Sequence, residues 1–88
     1  MGTVASIICS NPEKLTASFV KDIANKYIEK DYGINVQNQG DNLEIGALYT
    51  IPEERFLEIL SMLKEKYNIE IIEKVWWEFK KFEPKILE

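Results

Sequence analysis

The stretch that decides the fold is residues 34–50, INVQNQGDNLEIGALYT. Apolar and polar residues alternate over residues 34–38 and again over residues 43–50, a period of two that is typical of half-buried β-strands. In the second run one face carries Leu43, Ile45, Ala47 and Tyr49. The four residues between the runs, 39–42, contain Gly40 and form a short turn, which favours an antiparallel hairpin over a crossover.

An amphipathic helix is predicted before this hairpin. Its apolar positions recur at spacing four, with two further residues widening the stripe: Leu15, Phe19, Ile23 and Tyr27, then Val20 and Ala24. Ser10 or Asn11 can cap its N-terminus with Pro12 in the first turn. Gly33 can adopt the left-handed conformation common just past a helix C-terminus, so the helix is expected to end there.

A second amphipathic helix is predicted after the hairpin. Residues 50–53, Thr-Ile-Pro-Glu, have the spacing of a capping box, with a proline early in the helix. Apolar residues then continue at spacings of three and four: Phe56, Ile59, Leu60, Leu63 and Tyr67. The pattern indicates that this helix ends near Asn68.

Two outer strands complete the pattern. Residues 3–9 are short and rich in β-branched side chains, which predicts a strand. Residues 69–82 begin as a strand with Ile69 and Ile71 on one face. Ile72, Trp76 and Trp77 make the other face apolar as well. We therefore expect a last strand that presents apolar side chains on both faces.

The predicted element order is βαββαβ, the plan of the ferredoxin-like α+β sandwich. Right-handed crossovers then place both helices on one face of a four-stranded antiparallel sheet, in the order 4-1-3-2, and leave the other face open. With 88 residues the chain is expected to form one domain over residues 1–83, followed by a short tail over residues 84–88. Many unrelated activities share this fold plan, so it does not indicate a function.

Composition excludes several classes of function. Fifteen acidic residues against eleven basic ones give a net charge of −4, which disfavours binding to a nucleic-acid backbone. The chain has no histidine, and this removes most zinc sites and any Ser-His or Cys-His pair. A single cysteine and the absence of long apolar runs predict a cytoplasmic protein that does not interact with a membrane. The many Lys, Glu and Ile residues fit either a hyperthermophile or an AT-rich genome.

We expect no catalytic residue, cofactor or metal. Cys9 directly precedes the predicted first helix, where backbone amides could lower a thiol pKa, but a buried, inert cysteine is the more usual structure. Glu54 and Glu58 lie four residues apart, and a solvated helix face is expected there instead of a cation site. Other polar residues on the second strand are explained by the solvation of an edge strand.

The strongest local signal is an aromatic cluster at the end of the chain: Trp76, Trp77, Phe79 and Phe82. In a continuous strand Trp77 and Phe79 share one face, while Trp76 and Phe82 share the other. One interpretation packs Trp77 under the helices and leaves Trp76 half-exposed on the sheet. The other makes all four residues anchors of a homodimer that buries the open sheet face and the last strand. Our prediction is a non-enzymatic interaction or regulatory module that self-associates in this way.

Two alternatives stay open. One is a regulatory domain that binds a small molecule and resembles ACT-type domains in topology only, with Asn11 and Gly40 in the loops near the ligand. The other is an inhibitor or immunity-type protein that binds an enzyme. RNA readout is disfavoured because residues 44–48 have a glycine but lack the stacking aromatics of RNA-recognition motifs. An acylphosphatase-type activity is disfavoured because residues 10–14 contain no arginine.

Overall fold

A computed structural model describes residues 3–29 and 33–79 of the chain. Four strands and two helices follow one another in the order βαββαβ: β1 Thr3–Cys9, α1 Ala17–Ile28, β2 Asn35–Gln39, β3 Asn42–Leu48, α2 Glu53–Tyr67 and β4 Ile71–Trp77. The strands form one antiparallel sheet in the order β2-β3-β1-β4. This confirms the ferredoxin-like plan and its strand order. Phe82 and the predicted tail over residues 84–88 lie outside the described residues.

The core lies between the sheet and the two helices. From Ala5 onward in β1, and throughout β3, every second side chain is buried, including Ile7 and Cys9 of β1 and Leu43 and Ile45 of β3. The alternate positions, such as Ser6 and Glu44, lie on the opposite face. Burial of one face in this way is what the period-two pattern predicts.

The hairpin between β2 and β3 turns through two residues, Gly40 and Asp41. Gly40 has a φ of 60°, and Asp41 has no positive φ, a combination typical of the type II′ turn. The twist of this turn matches that of the flanking strands, so the predicted short turn is confirmed. Tyr49, expected on the buried face of β3, lies past the end of the strand and is exposed.

The predicted start and end of α1 were wrong. Thr16 is the N-cap, and its side chain accepts a hydrogen bond from the backbone N–H of Phe19. Asn11, expected as a cap, lies in the preceding loop. Glu29, not Gly33, takes the left-handed position directly after the helix, with a φ of 58°.

The buried face of α1 agrees with the prediction in part. Val20 and Ala24, which widen the predicted stripe, are buried together with Ile28, whereas Phe19 and Tyr27 are exposed. The two sets have the same spacing of four and lie on adjacent stripes of the helix, so the period alone did not distinguish them.

The prediction for α2 is largely confirmed. Its buried residues are Phe56, Ile59, Met62 and Leu63, and Asn68 ends the helix with a φ of 58°. The N-cap position is occupied by Pro52 and not by Thr50, the first residue of the expected capping box, and the proline side chain makes no cap hydrogen bond. Glu53 and Glu54 lie in the first turn and Lys64 and Lys66 in the last, which complements the helix dipole.

Candidate interaction surface

Strand β4 is shorter than predicted and is one edge of the sheet. It spans Ile71–Trp77, and the buried Ile69 belongs to the loop before it. Four apolar side chains of β4 are exposed, and Leu57 of α2, which lines a groove together with Ile71, is exposed as well. We refer to this surface as the β4 patch; its residues are Leu57, Ile71, Ile72, Val75 and Trp76.

The structure separates the members of the predicted aromatic cluster. Trp76 is 47% exposed and pairs with Ser6 on the open face of the sheet. Phe79 is 2% exposed and lies in the core, where its ring centroid is 5.6 Å from that of Phe56. Trp77 is intermediate in exposure. It is partly buried and packs on the same Phe56 ring, with 5.9 Å between the ring centroids. Phe82 lies outside the described residues, so the structure leaves Trp76 as the exposed aromatic residue of β4.

Polar contacts fix Trp77 in its inward position. Its indole Nε1–H donates to a carboxylate oxygen of Glu53 at 3.3 Å. The Nζ atom of Lys74 lies 4.6 Å from the centroid of its ring, a distance at which a cation–π interaction is favourable. Trp77 thus connects β4 to the start of α2. Because Trp77 is turned inward, the exposed apolar side chains of β4 are the aliphatic ones and Trp76.

The pairing between β1 and β4 is irregular at two points. The register shifts between Ser6 and Ile7 and again between Ile8 and Cys9, so β4 has one unopposed residue at each point. From the partners on either side, the unopposed residues are Val75 and Ile72. These two are 52% and 58% exposed, the most exposed apolar residues of the strand. Such bulges bend an edge strand and interrupt the regular spacing of its hydrogen-bonding groups.

The opposite edge of the sheet has a different chemistry. Strand β2 has the sequence Asn-Val-Gln-Asn-Gln, and its four amide residues are exposed. Asn38 also anchors the start of α1, because its side-chain oxygen accepts from the backbone N–H of Ala17 at 3.1 Å. Amide side chains at this edge offer little apolar area for a partner to bury. The contrast makes β4 the apolar edge of this sheet.

The open face of the sheet is mostly polar. Rows across the strands place Gln37, Glu44, Ile8 and Glu73 side by side, followed by Asn35, Gly46, Ser6 and Trp76. The Ser6 hydroxyl donates to a carboxylate oxygen of Glu44 at 2.9 Å. A face with so few apolar side chains offers little hydrophobic area for an interface. The β4 patch, which includes Trp76 of this face, offers more.

Cys9 is buried at the floor of a groove between the second half of α2 and the start of β4. The groove has a volume of about 530 Å³ and is lined largely by apolar residues, among them Leu57, Leu60, Ile69 and Ile71. Burial raises the pKa of the Cys9 thiol from its ordinary value of 9.0 to about 11. Because α1 begins only at Ala17, the amides of its first turn do not adjoin the thiol. The geometry therefore fits a structural cysteine.

Asn11 is 7% exposed and its amide is used within the chain. Its oxygen accepts from the backbone N–H of Leu15 at 3.0 Å, and its nitrogen donates to the carbonyl of the same residue at 2.9 Å. These two bonds close the loop between β1 and α1. Asn11 is thus a loop-stabilising residue, and the adjacent cavity by Gly40 has only about 120 Å³.

The described residues give little support to other kinds of site. No helix of the described residues is long and apolar enough to cross a membrane. Residues 3–29 and 33–79 contain no group of three or more acidic or cysteine side chains that could hold a metal ion. Glu58, one of the two carboxylates considered for a cation, instead pairs with Arg55 at 2.8 Å. No protein-family model, curated protein or solved structure matches this chain.

The sequence pattern predicts aromatic anchors and does not single out most of the β4 patch. Ile71 and Ile72 enter that prediction only as parts of a strand with two apolar faces. The signal was present, because an edge strand with apolar residues on both faces leaves one set without a partner. Knowing which set is exposed required the register shifts, which have no signature in the sequence.

Proposed function

We propose that this chain is a non-enzymatic interaction module that forms a homodimer through the β4 patch. The observation that carries the proposal is the exposure of apolar side chains along one edge strand, in a sheet whose other edge is polar. Contiguous exposed apolar surface is uncommon on small monomeric proteins and marks sites of association. Trp76 supplies the large aromatic anchor that such interfaces favour.

A second copy of the chain fits the charges beside the patch. Glu70 and Lys74 lie two residues to either side of Ile72. A two-fold axis through Ile72 therefore brings Glu70 of each protomer toward Lys74 of the other, and the two Ile72 side chains toward each other. Two-fold interfaces are self-complementary in this way, and the pairing supports a closed dimer.

The two register shifts favour side-chain packing over the addition of strands. Bulges interrupt the regular ladder that an incoming strand would extend, and proteins use them to prevent open-ended sheet growth. In β4 the same bulges project Ile72 and Val75 outward. The proposed interface thus has the apolar side chains of the β4 patch at its centre and does not require a continuous eight-stranded sheet. A specific complex of standard size buries about 800 Å² per partner, polar rim included.

The test compares two charged substitutions at equally exposed aromatic residues. Trp76→Glu lies in the β4 patch, and Tyr27→Glu lies on α1; both wild-type side chains are 47% exposed. We expect light scattering to give about twice the chain mass of 10.3 kDa for the wild type and Tyr27→Glu, and the single mass for Trp76→Glu. Circular dichroism checks that each variant is folded.

A second substitution keeps the test informative if Trp76→Glu fails to fold. Val75→Lys places a charge on a bulged, exposed position, and Gln37→Lys places the same charge on the polar edge strand. The proposal predicts a monomer for the first and a dimer for the second. A monomeric wild type, or a folded Val75→Lys variant that remains a dimer, overturns it. Capture of a different protein by the β4 patch of a monomer would favour the inhibitor-type alternative.

A further inference from the structure

Gly46 lies in the middle of β3, where the fold itself does not require a glycine. Its φ is not in the left-handed region, and a Cβ atom added to it would meet nothing closer than the Ala5 carbonyl oxygen at 3.6 Å. Glycine within a regular element costs about 0.5 to 1 kcal/mol relative to alanine. In strands it often marks a place where a ligand or another backbone approaches closely. The space left by the absent side chain of Gly46, where a Cβ atom would make only ordinary van der Waals contacts, is therefore a feature that the packing of the chain does not explain.

This space is the floor of a small cleft on the open face of the sheet. Its volume is about 230 Å³, and its lining includes Thr3, Ser6, Asn35, Glu44, Gly46 and Leu48. Ser6 and Asn35 flank Gly46 from the two neighbouring strands. Such a volume is below the usual range for drug-sized ligands and suits a small polar group.

The charge around the cleft is negative. Glu44 lies at its rim and is held there by the hydrogen bond that the Ser6 hydroxyl donates to its Oε2 atom. Lys74 is the single basic residue of the described strands, and it lies over the Trp77 ring on the helix side. A cationic hydrogen-bond donor is thus the complement of this cleft.

We propose that the Gly46 cleft binds a small molecule that carries a guanidinium group. The planar group can lie over the flat floor of Gly46 while its N–H groups donate to the Glu44 carboxylate and to the Asn35 side-chain oxygen. The side-chain oxygens of glutamate and asparagine are both hydrogen-bond acceptors. Glu44 and Asn35 can therefore accept from different N–H groups of one guanidinium. The inference does not depend on the dimer, because no residue of the β4 patch lines the cleft.

The test is an NMR titration of the full chain with L-arginine and with L-citrulline, its neutral isostere. We expect saturable shifts of the Gly46 and Ser6 amide signals with arginine, and binding weaker by about ten-fold or more with citrulline. Equal responses to the two compounds, or no saturable response to arginine at millimolar concentration, overturn the proposal.

Two variants and one further probe complete the test. Glu44→Gln removes the charge but keeps an acceptor for Ser6, and it should weaken arginine binding by about ten-fold or more. Glu73→Gln removes a charge from the same face outside the cleft and should leave binding within about two-fold. A Gly-Arg-Gly peptide separates a free small molecule from a protein side chain; binding of the peptide alone overturns the small-molecule assignment. Mass measurements on the same samples report separately on the dimer.

Discussion

Cys9 shows how the position of one residue determines its chemistry. The thiol ends β1, is 1% exposed and packs in the core beneath the groove at the start of β4. A thiolate in that position would lose its hydration, so burial raises the pKa to about 11. At neutral pH the group is a protonated, apolar core side chain.

The raised pKa of Cys9 makes stability depend on alkaline pH. Between pH 9 and 11 the unfolded chain releases the thiol proton while the folded chain retains it, so the free energy of unfolding falls as pH rises. We expect a loss on the order of 2 kcal/mol across this range. Urea unfolding at a series of pH values measures it.

Cys9→Ala provides the control because it has no thiol to titrate. Its stability at neutral pH should be lower, since a buried side chain has been truncated, but the alkaline fall should be smaller than in the wild type by the Cys9 contribution. The same slope in both proteins would contradict the assignment of the fall to Cys9. All other titratable groups are the same in the two proteins.

Asn11 illustrates what could and could not be predicted for a single residue. A polar residue before an amphipathic run is a reasonable helix cap from the sequence. In the structure the same hydrogen-bonding capacity closes a loop around Leu15. The local sequence is compatible with both, and the position of β2, whose Asn38 anchors the start of α1, selects between them.

Helix α1 depends on a cap that the sequence analysis did not identify. Thr16 accepts a hydrogen bond from the backbone N–H of Phe19 at 3.2 Å. Removing the hydroxyl leaves an unpaired donor in the first turn, and we expect Thr16→Ala to lower the free energy of unfolding by about 1 kcal/mol. Chemical denaturation of this variant gives the value.

Thr16→Ser is the matched control, because serine caps helices at least as well as threonine. It should stay within about 0.5 kcal/mol of the wild type. If both substitutions destabilise the protein equally, the hydroxyl at position 16 does not cap the helix.

The strands were predicted more reliably than α1 for a physical reason. In β3 the residues alternate strictly, and a slip of one residue would turn Leu43 and Ile45 to solvent. In α1 two neighbouring stripes both carry apolar residues, and Phe19 still makes an edge-to-face contact with Tyr67 across the helices, at 6.0 Å. The cost of choosing the wrong stripe is small, so the sequence constrains the orientation of this helix weakly.

For strand β4 the sequence pattern predicts the strand but not which of its apolar side chains are buried. Its apolar residues on both faces correctly indicated an unusual strand. Which of Trp76, Trp77 and Phe79 enters the core follows from the register shifts against β1 and from the contacts of Phe56. These depend on packing between elements that are distant in the chain.

In the whole molecule, the two edges of the sheet differ in chemistry. One edge is polar and supports α1 through Asn38, and the other is apolar and ends at Trp76. A domain of this size buries only about 60 to 65% of the surface of its unfolded chain. Burial of the β4 patch in a dimer would add apolar area to a modest core.

The element order and the sheet topology could be predicted because each element has its own periodicity. The interaction surface could not be predicted to the same degree. An exposed and a buried Ile are identical in sequence, and the difference between Ile69 and Ile72 arises only when α2 covers one of them. The Gly46 cleft likewise depends on three strands meeting in register.

The dimer is tested by the molar mass of the wild-type chain, measured by size-exclusion chromatography with light scattering over a dilution series from hundreds of micromolar to micromolar. We expect about twice the chain mass of 10.3 kDa at high concentration and, on dilution below the dissociation constant, the mass of one chain. A mass equal to one chain at every concentration would contradict the dimer and leave the β4 patch without the proposed partner.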